Sequence, residues 1–227
     1  MKRAGICSAV GMFLISLSVL LSIIDFCSFD RSFYRKEYAK DSTAERIGMS
    51  ENDLYNATDV LLDYLQMERD DIRVTATVNG YVREVYDKRE TLHMVDVRNL
   101  YQNALKARNI ALILGTVLLA AAWLMIHHDH RTMLKKGLRN GVSLLGVLIL
   151  MIVIWCLADF DGFWLFFHEV FFDNDLYLLD PNVSIMINMF PSVFFFDLVL
   201  RIIVLFTGFL ALLTLLIYKL PGRRHYA

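Results

Sequence analysis

The chain of 227 residues is 56% hydrophobic and 13% aromatic with a mean hydropathy of +0.46, which excludes an ordinary water-soluble domain. A formal net charge of -1 gives no electrostatic case for nucleic-acid binding. Phosphate-binding glycine loops, a zinc-protease motif and a G-x-S-x-G elbow are missing from the sequence, so any chemistry must use other parts.

The first element is an apolar run from Ala4 to Ile24, close to the roughly 20 residues a helix needs to cross the hydrocarbon layer. Lys2 and Arg3 precede it. The start resembles a secretory signal, but the run is longer than a signal core and no Ala-x-Ala site follows. An uncleaved anchor is expected. Nor do the residues of "IIDFC" before Cys27 include the small ones that lipoprotein processing needs.

Residues 29–108 follow, with 13 basic and 15 acidic side chains in 80 positions, enough for a small folded module. Ser50 and Asp53 form a capping-box pattern ahead of "ENDLYNATDVLLDYLQ", where Leu54, Ala57, Leu61 and Leu65 recur at helical spacing. That helix either lies on the membrane surface or packs on its neighbours. "VTATV" and "YVREVY" flank Asn79 and Gly80, the pair that best supplies the positive backbone angles of a two-residue hairpin. Val95, Leu100, Ala104 and Leu105 then mark a helix running directly into a second span, Ile110 to Ile126.

"HHDHRTMLKKGLR" connects this span to a third, Gly141 to Ala158, and a fourth runs from about Leu198 to Tyr218. Basic residues in short segments beside a membrane mark the cytoplasmic side. Lys2 and Arg3; Arg131, Lys135, Lys136 and Arg139; and Lys219, Arg223 and Arg224 all meet that rule. Residues 159–197 hold seven acidic residues and no Lys or Arg, so they belong outside, and both termini inside. The fold expected is predominantly α and integral to the membrane. It has four transmembrane helices, a small α/β extracytoplasmic module (29–108) and a structured aromatic loop (159–197), within a single domain, 1–227. Cys7, Cys27 and Cys156 have no metal-ligand spacing and are read as apolar filler.

Six histidines narrow the search for chemistry. His127, His128, His130 and His225 fall in the cytoplasmic loop and tail, as solvated interfacial residues. His93 and His168 alone lie outside, each tethered near the outer end of a span, so they can converge. Asp96 shares a helix face with His93 and is placed to orient its ring. Asp173, Asn174, Asp175 and Asp180 surround His168 with turn formers. Arg201 either pairs with Asp197 or meets a lipid carbonyl or phosphate. In "FWLFFHEVFFDNDLYLLDPN", residues 163–182, no regular amphipathic pattern is evident. The aromatic residues are either an interfacial belt or the wall of a pocket open to lipid.

Together "LHMVDV" (92–97), "FHEVFFDNDLYLLDP" (167–181) and "FPSVFF" (190–195), within this four-helix frame, resemble the lipoprotein intramolecular transacylase family over nearly the whole chain. The resemblance implies catalytic His93 and His168, with Tyr177 where that family has a tryptophan. Asp96, Asp173, Asn174, Arg201 and Tyr177 are then expected to bind or orient substrate. It further implies that the sn-2 acyl chain of a diacylglyceryl lipoprotein moves to the α-amino group of its own N-terminal cysteine, at the outer face of the bacterial cytoplasmic membrane. Ester-to-amide exchange runs downhill, so no cofactor or metal is expected. The partners implied are diacylated lipoproteins and membrane lipid, with no obligate protein partner. Two other readings stay open on the residues alone. One is a non-enzymatic sensor or assembly partner; the other is a metal-assisted lipid hydrolase using His93, His168 and nearby aspartates.

Overall fold

The computed structural model describes residues 2–126 and 129–219. His127, His128, His225, Arg223 and Arg224 lie outside the described residues. Nine helices and one hairpin are seen among those described: α1 (Lys2–Ser28), α2 (Arg31–Lys40), α3 (Thr43–Ile47), α4 (Glu51–Leu65), β1 (Thr75–Val78), β2 (Tyr81–Glu84), α5 (Lys88–Leu124), α6 (His130–Ala158), α7 (Phe160–Phe171), α8 (Ile185–Met189) and α9 (Ser192–Lys219). By length and composition α1, α5, α6 and α9 can each cross a membrane, which matches the expected fold class. The chain divides into two compact units. One comprises Met1–Asp25, Ala104–Ala158 and Leu200–Ala227, the other Phe26–Asn103 and Asp159–Val199.

In the first unit, α1 approaches α5 and α6 closely because the contact positions carry almost no side chain. A Cβ on Gly11 would meet the Gly115 carbonyl oxygen at 3.0 Å, and one on Gly141 would collide with the Ala9 carbonyl. The Ser8 hydroxyl donates to the Met133 carbonyl at 3.3 Å. Close backbone approach of this kind is how helices gain contact in lipid, where no hydrophobic force drives them together. Met12, Leu138 and Ile217 form a buried cluster, packed by Leu119, Leu134, Val142 and Leu213. Arg108 pairs with Asp25 at 2.7 Å. The basic residues 131–139, expected in a connecting loop, instead belong to the first turns of α6. Asp129, at φ +60°, accepts from the Thr132 amide at 3.2 Å and starts that helix early.

The second unit has a packed core of its own. In α4 the Ser50 hydroxyl caps the Asp53 amide at 3.0 Å, and Leu54, Ala57, Leu61 and Leu62 are buried. The side chains of Tyr38 and Tyr86 close on it, Tyr38 sharing a 2.8 Å bond with Thr58 and Tyr86 donating to the Ala57 carbonyl at 2.8 Å. Packing within this unit, not a membrane surface, therefore buries the apolar face of α4. The hairpin pairs Val78 with Tyr81 and Thr75 with Glu84, and its turn residues Asn79 and Gly80 have φ of +51° and +83°, as that dipeptide requires. An aromatic cluster of Phe33, Tyr34, Tyr38, Phe190 and Phe194 ties α2 to α8 and the start of α9.

Candidate active site

The second unit holds both His93 and His168. His93 stands in the second turn of α5, whose start is fixed by a reciprocal cap. Asp87 Oδ1 accepts from the Glu90 amide at 2.8 Å, while Glu90 Oε2 accepts from the Asp87 amide at 2.6 Å. His168 is carried by α7, begun by Asp159, which accepts from the Gly162 amide at 2.9 Å. The two ring centroids are 5.8 Å apart with a 35° tilt. Phe172 stands edge-on to His93 at 5.2 Å, and Tyr177 lies 4.8 Å from His168.

Both rings open on one cavity of about 380 Å³. Its wall is apolar except for the imidazoles, Asp161 and the phenols of Tyr34 and Tyr177. The helix periodicity of α7 puts Trp164 one turn before His168, and His168 Nδ1 lies 2.7 Å from the Trp164 carbonyl oxygen. A carbonyl only accepts, so Nδ1 carries the proton of the neutral ring and Nε2 keeps a free lone pair. His93 is buried, and its Nδ1 has no hydrogen-bond partner among the described residues.

Burial lowers both imidazole pKa values, because the charged form is the one that loses water. For His93 the fall is from the ordinary 6.5 to about 4; burial acts most, the His168 ring and Arg89 add to it, and Asp96 opposes. His168 moves down as well, by burial, against a smaller opposite effect of its bond to Trp164. Near neutrality both rings are uncharged.

The expected site residues divide. Asn174 donates to Asp96 Oδ2 at 2.9 Å and accepts from the Leu176 amide at 3.0 Å, so it joins the bend after α7 to α5. Arg89 grips the same bend through Asp175, 3.2 Å from its carboxylate and bonded to its carbonyl oxygen. Asp173 is exposed in that bend. Arg201 falls in the other compact unit, and Asp197 pairs with Lys40. Glu90 and Arg89 carry no sequence expectation, although the Asp87-x-x-Glu90 spacing ahead of a helical run is the mark of a reciprocal cap. Glu90 is also buried, and it accepts from the Ser184 hydroxyl at 2.5 Å and the Met186 amide at 3.0 Å. Burial raises its carboxyl pKa and the Asp87 carboxylate adds to this, while the Ser184 hydroxyl and the Asp87 and Met186 amides oppose. Among the described residues, no group of three His, Cys, Asp or Glu side chains is placed to hold a metal ion.

The family model described as lipoprotein intramolecular transacylase Lit matches residues 9–195. The chain belongs to that family. This transacylase is an acyltransferase of lipoprotein modification, and both histidines fall inside the matched residues. Solved structures of the membrane-integral lipoprotein intramolecular transacylase Lit from Bacillus cereus share the fold. One aligns with a TM-score of 0.75 at 18% identity, over 96% of this chain and 95% of that one. A histidine-to-alanine variant of the same protein aligns with a TM-score of 0.73 at 16% identity, over 96% and 94%. At such identities the likeness establishes the fold alone, that of a multi-pass membrane protein. Among curated proteins nothing matches the chain.

Proposed function

We propose that this transacylase moves the sn-2 acyl chain of a diacylglyceryl lipoprotein onto the α-amino group of that lipoprotein's own N-terminal cysteine, with His93 and His168 as its catalytic pair. The observation that carries this reading is the pair itself: two neutral imidazoles 5.8 Å apart on one apolar cavity. Nucleophile and electrophile belong to one substrate molecule, so catalysis is largely a matter of folding the head group into an attacking geometry.

The reaction begins with a neutral amine. An α-ammonium group ordinarily titrates at about 8, and an apolar cavity pushes that value down by desolvation. The amine nitrogen attacks the ester carbonyl, forming the C–N bond, and its proton passes to His168 Nε2, the nitrogen left free by the bond to Trp164. His93 has a pKa of about 4, too low to be an imidazolium near neutrality. It serves as a neutral N–H donor to the carbonyl oxygen as negative charge develops there. The tetrahedral intermediate then collapses: the C–O bond to glycerol breaks, and the imidazolium of His168 returns its proton to the leaving oxygen. One ester becomes one amide, with no change in charge and no cofactor consumed.

Asp96 and Asn174 hold the bend that ends in Tyr177, and Tyr177 packs on His168. Water would divert the ester to hydrolysis, and aromatic walls such as Trp164 and Phe172 oppose it. The topology that goes with this reading has both termini in the cytoplasm. Residues 29–108 and 159–197 are then extracytoplasmic parts of one integral membrane domain, facing lipoproteins held in the outer leaflet. Arg201 and Asp173 complete the set of proposed substrate contacts.

The test is to mix purified protein with diacylated lipoprotein and fragment the product by mass spectrometry. The expected product carries one amide-linked and one ester-linked chain. Normal acyl transfer by folded His93→Ala and His168→Ala variants would rule out the pair. A protein acting only as a sensor or assembly partner would tolerate both changes, and a metal-assisted hydrolase would lose activity to a chelator and release free fatty acid.

A further inference from the structure

Glu90 is 1% exposed, and the hydrogen bonds of its carboxylate all come from donors. Oε2 takes the Asp87 amide at 2.6 Å. Oε1 takes the Ser184 hydroxyl at 2.5 Å and the Met186 amide at 3.0 Å. The Ser184 hydroxyl in turn accepts from the Ile187 amide at 3.1 Å, so one oxygen both caps α8 and bonds Glu90. Three donors to one carboxyl group call for the ionised form, which only accepts.

No salt bridge to Glu90 is found among the described residues. Burying an anion without a cation is costly even when it is hydrogen-bonded, and an apolar side chain would fill the space at less cost. An apolar side chain, however, could not hold the backbone of residues 184–186. What the carboxylate supplies is position.

Its neighbours show what is positioned. His93 and Met94 follow Glu90 by three and four residues, on the same face of α5, and both line the cavity. Met186 and Ile187, held through Ser184 and the Met186 amide, line it from α8. One side chain thus joins two walls.

We propose that Glu90 is a positioning residue that ties the first turn of α8 to the His93 turn of α5 and so sets both the placement of His93 and the length of acyl chain the cavity accepts. This rests on the proposed acyl transfer, with the migrating chain lying in the same apolar cavity. A rigid wall discriminates chain length sharply, because an extra methylene must then be accommodated by strain. A wall released from α5 yields, and the discrimination fades.

The experiment compares full-length wild type, Glu90→Gln, Ser184→Ala and the double variant on synthetic diacylglyceryl-cysteine lipopeptides with short, medium and long sn-2 chains, measuring kcat and KM. The expected result is a roughly 10- to 100-fold loss of kcat on the preferred chain. The ratio of kcat/KM between preferred and disfavoured chains should shrink by about tenfold. The double variant should be close to the worse single one, since both loosen one bridge: a glutamine turns its NH2 toward either the Asp87 amide or the Ser184 and Met186 donors, and Ser184→Ala removes one of those donors.

Unchanged kcat and chain-length ratios in folded variants would overturn the proposal. So would equal losses at every chain length, which are the mark of a merely structural role. If Glu90→Gln fails to fold, Ser184→Ala carries the same test, because it leaves the carboxylate its bonds from Asp87 and Met186. His93→Ala, run alongside, separates the two readings: its full activity would reject the catalytic pair, whatever Glu90 does.

Discussion

The Nδ1 of His168 donates to the carbonyl oxygen of Trp164, one turn earlier in α7, at 2.7 Å. That single bond fixes the tautomer and leaves Nε2 as the basic nitrogen, on a ring 5.8 Å from His93. Because both rings are held neutral, they share the cavity without repulsion.

Removal of either imidazole should abolish turnover rather than binding. His168→Asn should lower kcat by about 10²- to 10⁴-fold, the usual contribution of a positioned acid or base, with little change in KM. His93→Ala should fall in the same range, and the double variant should be close to the worse single one because both act in one step. Single-turnover assays read by mass spectrometry check this.

Acid should impair the protein later than an ordinary histidine would suggest. His93 binds its proton at about 4 when folded and at 6.5 when free. Below 6.5 the unfolded chain takes up the proton first, so folding stability falls as pH drops from 6.5 towards 4; above 6.5 this group contributes no pH dependence. The rate should hold as pH passes below 6.5, since protonation of His168 is also delayed. Imidazole NMR titration and thermal melts at stepped pH measure both effects, and a His93 ring titrating at or above 6.5 would contradict them.

The bend after α7 should matter through its tie to α5. Asn174→Ala removes the 2.9 Å bond to Asp96 and the local turn bond to Leu176. The loss should be on the order of 1 kcal/mol per bond, roughly fivefold in kcat for each bond that positions the site. Asp96→Asn keeps a carbonyl acceptor for the Asn174 amide, so a smaller loss is expected. Parallel steady-state kinetics on the two variants decide the order.

Helix packing in the membrane unit should be sensitive at one glycine and indifferent at another. A Cβ on Gly141 collides with the backbone of Ala9, whereas one on Gly146 meets nothing within 4 Å. Gly141→Ala should cost about 1–3 kcal/mol from overpacking, and Gly146→Ala should leave the melting temperature in detergent unchanged.

Legibility in the sequence tracked the range of the interaction. The hairpin at Asn79 and Gly80 and the cap at Ser50 are decided by neighbours within a few residues, and both formed where the residues implied. Residues 163–171 read as irregular because large apolar side chains crowd both sides of α7, Phe166 and Val170 among the exposed ones. The polar positions that mark its cavity face, Asp161 and His168, are two turns apart, and the first precedes that stretch. Nor could any local pattern have linked Glu90 to Ser184, which is 94 positions away.

From the amino acids alone came four spans, the hairpin at Asn79 and Gly80, and the expectation that His93 and His168 act together, because hydrophobic length, turn chemistry and motif are properties of short stretches. The folded chain alone decided that the two rings share a cavity, that His168 keeps Nε2 free, and that a buried carboxylate joins the walls. Those depend on contacts between residues dozens of positions apart, and such contacts exist only once packing has chosen which helix faces meet.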